Sequence, residues 1–150
     1  MIKLNVSTYV GFNFDGMPLH RALFENADVR RATFRESNLR GALFDYASAS
    51  EADFRSAALM NSSFHGADLR ASSFVNARPI AARFDNADLS FANLNGADIG
   101  LSTFKGTCLK GTKMLCERIE HADFCGARFN SVTEWPIGFD PTAKGAIRED

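Results

Sequence analysis

The stretch ALFENADVRRATFRESNLRGALF, residues 22–44, decides the fold. Within it Phe24, Val29, Phe34, Leu39 and Phe44 fall five apart, and Ala22, Ala27, Ala32, Ser37 and Ala42 each stand two places before one of them. A strand repeats every two residues and a helix every 3.6, so neither explains a period of five. Residues two apart on extended backbone face the same way. Each unit therefore reads as a very short strand whose small and large apolar residues point inward, followed by a corner. We call the large residue the central position and number its neighbours −2 to +2.

The frame extends outward from this stretch to Leu19 and Phe14 on one side and to Phe129 on the other. From residue 19 to residue 129 it counts 23 units without a gap, and only Ala49 and Pro79 are not large and apolar. Position +2 is often Gly or Asn, as at Asn26, Gly41, Asn61, Gly66, Asn76 and Gly106, residues that tolerate positive φ and so let the chain turn. Positions −1 and +1 face outward and are mainly polar, for example Asp28 with Arg30 and Asp68 with Arg70.

Steps of twenty give the number of corners per turn. From Phe24 they reach Phe44, Phe64, Phe84, Phe104 and Phe124; from Phe14 they reach Phe34, Phe54, Phe74, Leu94 and Met114. The two intervening series are aliphatic or smaller: Val29, Ala49, Leu69, Leu89, Leu109 before Phe129, and Leu19, Leu39, Leu59, Pro79, Ile99, Ile119. A twenty-residue superperiod predicts four sides per coil, two opposite sides lined mostly by Phe. Stacked at the inter-strand spacing of about 4.8 Å, the units make about six coils and a rod of roughly 27 Å.

The pattern seen as ADFRS, ADLRA, ADLSF and ANLNG resembles the pentapeptide repeat family. The resemblance covers residues 12 to about 131 and implies an all-β fold, a right-handed quadrilateral parallel β-helix with four faces and a filled core. The crossover rule for parallel strands supports the hand. The tail TEWPIGFDP, residues 133–141, resembles closing segments of cyanobacterial members.

The expected organisation is an N-terminal capping segment over 1–11, the repeat β-helix over 12–131, and a C-terminal cap and tail over 132–150 carrying Trp135 and Phe139. The frame is expected to stop after Phe129, leaving a lid with a loose acidic end; the rival reading is a dimerisation segment. Self-association through an open end is the matching expectation, because unpaired strand edges invite pairing.

Composition excludes little. Net charge is −1, which gives no global push toward nucleic acid or anionic membrane. No secretory leader or long apolar run is evident, and Cys108, Cys116 and Cys125 lack paired spacing, so a cytoplasmic location with reduced thiols is expected. His20, His65 and His121 fall at outward positions, and the three Cys fall on different sides, which argues against a metal cluster. No phosphate-binding, zinc-protease or nucleophile-elbow motif occurs, and a filled rod offers no substrate pocket, so no catalysis, cofactor or small-molecule substrate is expected.

Two functional classes remain. One is an interaction scaffold that binds an unidentified protein through its sides. Its candidate patch is Met60, Val75, Pro79, Ile80 and Leu101, apolar residues placed on or near one outer column, with Phe91 and Leu115 as further exposed residues. The other, implied by the resemblance, is DNA mimicry protecting DNA gyrase from quinolones. Residues 21–131 hold 14 Lys or Arg and 13 Asp or Glu, and no insertion breaks the frame; neither suits a mimic of dense negative charge.

Overall fold

The computed structural model describes residues 7–150. Parallel bridges join residues twenty apart. Asn13, Thr33, Asp53, Ser73 and Asn93 make one ladder, side one; Pro18, Asn38, Ala58 and Arg78 make side two; Leu23, Leu43, Ser63, Arg83, Thr103 and Asp123 make side three; Asp28, Ser48, Asp68, Asp88, Cys108 and Arg128 make side four. The chain is a right-handed quadrilateral β-helix with one five-residue unit per side.

Four of the five backbone N–H groups in a unit have fixed partners. In the unit around Phe24, the Phe24 N–H donates to the Leu43 carbonyl at 2.8 Å, and the Asn26 N–H donates to Asp45 at 3.0 Å, both one coil on. Leu43 donates back to Ala22 at 3.0 Å. The Ala27 N–H closes the corner on the Phe24 carbonyl at 3.0 Å. That closure puts the +2 residue at positive φ, the signature of a type II turn. Gly41 and Gly66 adopt it at φ 66° and 65°, but so do Tyr46 at 58°, Phe91 at 61° and Leu101 at 61°. The coil imposes the left-handed conformation even on side chains that disfavour it.

The interior is closed by two Phe ladders. Phe24, Phe44 and Phe64 stack at centroid spacings of 4.8 Å, and Phe84, Phe104 and Phe124 continue the column at 4.9–5.2 Å. Phe34, Phe54 and Phe74 stack opposite at 4.8–5.0 Å. The columns meet edge-to-face; Phe44 and Phe54 are 5.5 Å apart at 90°. Stacked and edge-on contacts both suit the ring quadrupole. All nine of these rings are fully buried, each contributing roughly 1.5–3 kcal/mol.

The −2 residues fill the space just inside each corner, and most are buried Ala. Where that position is polar, its hydroxyl mostly finds a backbone carbonyl; Ser62, whose buried hydroxyl has no partner, is an exception. Ser37 and Ser72 bond the preceding central carbonyl of their own coil at 2.6 Å. Thr107 and Thr112 reach the previous coil instead, to Phe84 and Leu89 at 2.7 and 2.8 Å.

The structure departs from the sequence frame at three places. Pro79 has no N–H, so the bond that its neighbours make to the next coil is missing, and no bridge joins Arg78 to Asp98. Asp98 bridges Glu117, nineteen residues on, so one residue is lost after Met114; a 3-10 turn over Ile119–His121, entered through Arg118 at φ 51°, restores it. The five-residue count survives because the loss and the gain cancel. Finally, the pattern does not stop at Phe129. One residue is inserted, Thr133 takes a −2 place with its hydroxyl on Leu109 at 2.8 Å, and Glu134 bridges Lys113.

Trp135 thus continues side one as a further central residue, set edge-on to Phe124 and Phe129 at 5.5 and 5.6 Å. Phe139 stacks beside it at 5.4 Å and covers Phe124. The acidic end is not loose: strand β1 (Arg128–Phe129) pairs in parallel with β2 (Ile147–Arg148). At the other end, Tyr9 packs on Phe14 and Phe24, and Thr8 bridges Asp28. The rest of the expected N-terminal cap, residues 1–6, lies outside the described residues.

Candidate interaction surface

The fifth N–H of each unit, at +1, points outward and has no partner in the coil ladder. Side chains supply one in two ways. An Asp or Asn at −1 of the same unit accepts it, as Asp28 does from Arg30 at 3.2 Å and Asp88 from Ser90 at 2.9 Å. Alternatively, an acid or amide at +1 of the preceding coil accepts it, as Asp15 does from Arg35 at 2.8 Å and Asp85 from Lys105 at 2.9 Å. The frequent outward Asp and Asn are therefore backbone caps, of the kind seen in Asx turns.

Those carboxylates then draw in the cations beside them. Arg30, Arg55 and Arg70 fork onto Asp28, Asp53 and Asp68, each with a 2.7 Å contact, within one unit rather than between coils. Hydrogen bonds from Arg30 and Arg70 hold the Asp28 and Asp68 carboxyls below the usual range. At Asp53, burial pushes the pKa upward, but hydrogen bonds from Arg55 and Arg35 outweigh it and bring the carboxyl down to about 2. Sides one and four are thus largely self-neutralised, and exposed pairs of this kind are worth at most about 1 kcal/mol.

Side two differs. Met60 and Ile80 are neighbours in its +1 column, both half-buried, and Leu101 is 67% exposed at the adjoining corner. Val75 is half-buried on side one. Pro79 does not belong to the surface: it occupies a central position and is buried, so the patch loses it. Below Met60 the same side opens into a groove of about 740 Å³ lined by His20, Arg21, Asn38, Arg40, Gly41, Met60 and Asn61. Among the described residues, Arg21 and Arg40 form no ion pair. This groove escapes a reading by columns because its residues come from −1, +1 and +2 places of three coils.

Two exposed aromatics have a structural use. A methyl on Gly66 would stand 2.6 Å from the Tyr46 ring, and one on Gly111 would stand 2.6 Å from the Phe91 ring. Each ring lies over the glycine one coil on. His20 and His121 are exposed and His65 is half-buried beneath Tyr46, with ring centroids 5.3 Å apart. The three cysteines are free thiols, and burial pushes Cys116 up to about 12. Among the described residues no group of His, Cys, Asp or Glu is placed to hold a metal ion, and no helix is long and apolar enough to cross a membrane.

Stacked parallel bridges, a filled square core and outward capping acids define a parallel β-helix solenoid. The profile for pentapeptide repeats matches eight copies over residues 22–59, 37–76 and 62–100, more than half of the chain. The chain belongs to the pentapeptide repeat family.

Among solved structures, it is similar to the pentapeptide repeat protein Rfr23 from the cyanobacterium Cyanothece 51142 (20% identity, 86% of this chain and 91% of that one, TM-score 0.56). It is also similar to a pentapeptide repeat protein of the Arabidopsis thaliana thylakoid lumen (19%, 85% and 71%, TM-score 0.46). A third is QnrB1, a plasmid-mediated fluoroquinolone resistance protein, matched here in its R167E trypsin-treated form (20%, 95% and 89%, TM-score 0.43). At these identities the likeness is one of fold. A search among curated proteins finds no significant match.

Proposed function

We propose that the protein is a non-enzymatic interaction scaffold, a rigid rod that binds a protein partner through a side face. The observation that carries this reading is the filled core: central and −2 side chains close the interior from Phe14 to Phe129. What remains for function is the ordered array of outward columns at about 4.8 Å spacing. The reading includes a cytoplasmic location, which suits three free thiols. It includes no cofactor and no nucleic acid. Gyrase protection of the quinolone-resistance kind is the less favoured role, because carboxylates neutralised by neighbouring Arg make a poor imitation of a phosphate backbone.

The test is capture from the source cell on the immobilised protein and on four variants, each with two charge-reversing or charge-adding substitutions on one side. A partner retained by the wild type and lost on one variant supports the scaffold. Retention of nothing, or retention unaffected by all four variants, refutes it.

A further inference from the structure

The groove and the apolar column above it lie on one side and run along the rod axis. His20, Arg21 and Arg40 stand at the lower coils, with Asn38 and Asn61 among them; Met60 and Ile80 follow in the +1 column, and Leu101 stands at the corner one coil on, beside Gly100, which Arg118 covers. We propose that side two docks an amphipathic α-helix of a partner protein, its acidic first turn in the groove and its aliphatic face along Met60, Ile80 and Leu101. This rests on the scaffold reading and names the partner chemistry for it.

Three observations carry the assignment. The first is charge. Of the sixteen arginines and lysines among the described residues, nine pair with carboxylates and seven do not; two of those seven, Arg21 and Arg40, stand together in the groove lining. A basic recess with two free guanidiniums is complementary to carboxylates, which Arg can bind in fork geometry.

The second is Leu101. It sits at φ 61°, a conformation that costs a side chain of its size, and it is 67% exposed. Tyr46 and Phe91 hold the same conformation and each covers a glycine one coil on. Leu101 has no such glycine above it; His121 stands there. Leu101 covers no glycine and leaves its apolar surface open at this corner.

The third is spacing. Coils repeat at about 4.8 Å along the axis, and an α-helix repeats at about 5.4 Å. Over three coils the two drift apart by about 2 Å, which side-chain adjustment absorbs. An extended peptide places same-face residues about 6.6 Å apart and drifts about 5 Å over the same span. The helix therefore fits the column better. Acidic residues in its first turn also suit the positive end of the helix dipole.

The probe is a fluorescein-labelled synthetic peptide of about four helical turns, with two Glu in the first turn and Leu on one face of the next three. Binding is read by anisotropy. Wild-type protein should bind it, and Arg21→Glu/Arg40→Glu and Met60→Lys/Ile80→Lys should each weaken binding by at least about tenfold. Circular dichroism melting accompanies each variant, and Arg21→Gln/Arg40→Gln replaces any charge-reversed pair that melts early. The proposal is overturned if the wild type fails to bind, or if a peptide with Lys in place of Glu binds equally. It is also overturned if either variant keeps wild-type affinity, or if a short DNA duplex displaces the peptide as well as unlabelled peptide does. In the capture experiment, a partner held by another side refutes this groove and leaves the scaffold standing; no partner on any side refutes the scaffold itself.

Discussion

The ring of Tyr46 lies over Gly66, one coil on, so close that a methyl on Gly66 would stand 2.6 Å from the Tyr46 Cε1. Gly66 also holds φ 65°, so Gly66→Ala meets both a left-handed backbone and the ring. Backbone strain alone costs roughly 1–2 kcal/mol. The Tyr46 ring is 60% exposed and can swing aside, so the contact adds less than a buried clash does. Chemical denaturation should show Gly66→Ala destabilising by about 1–2 kcal/mol. In a Tyr46→Ala background the loss should be smaller. An equal loss in both backgrounds means that the ring does not cover this corner.

Ala87 tests the interior. It is 2% exposed at a −2 place, where the corner leaves room for a methyl. Ala87→Leu forces three more carbons into a filled core and should cost at least about 1–3 kcal/mol, seen as a lower Tm. An unchanged Tm contradicts an inward −2 position.

The sequence shows the repeat because sterics enforce it at every unit: only a large apolar residue fills the middle of a side, and only a small one fits beside the corner. Phe24, Phe44 and Phe64 therefore mark the coil directly. Departures that preserve the count are invisible to such reasoning. The residue lost after Met114 is regained by Ile119–His121, so Ile119 falls on frame although its backbone is a 3-10 turn. Conversely, one inserted residue hides the side formed by Thr133, Glu134 and Trp135. Pro79 holds a central position and is buried, whereas Ile80, its neighbour in sequence, faces outward, so the two do not share a surface. The groove on side two depends on how Arg21 lies over Gly41 with Arg40 beside it in the lining, a matter of side-chain direction that no column of letters carries.

Asp53 should give the rod an acid-sensitive edge. Its folded pKa of about 2 lies below the ordinary unfolded value near 3.9. A depressed carboxyl stabilises the fold above its unfolded pKa, and that stabilisation is lost as pH falls from about 4 through 2. Allowing for solvent screening, about 1 kcal/mol is at stake. Urea melts at pH 2 and pH 6 should differ less for Asp53→Asn than for wild type; an identical pH difference removes Asp53 from the account.

Pro79 offers a gain. Pro79→Leu restores an N–H facing the Asp98 carbonyl and matches Leu59 and Ile99 in the same column. The new ladder bond should stabilise by about 0.5–1.5 kcal/mol, offset in part by the freer unfolded chain. A lower midpoint in urea counts against a missing bond at this coil.

The twenty-residue coil is tested most directly by cross-linking along one outward column. With Cys108, Cys116 and Cys125 replaced by Ser, the pair Ser50→Cys/Arg70→Cys places its α-carbons one strand spacing apart, about 4.8 Å, inside the range a disulfide spans. The pair Ser50→Cys/Ser90→Cys places them about 9.6 Å apart, beyond that range. Mild oxidation of the folded protein should close the first pair and leave both thiols of the second free. Closure of the second pair, or failure of the first, contradicts a chain that returns to the same side every twenty residues.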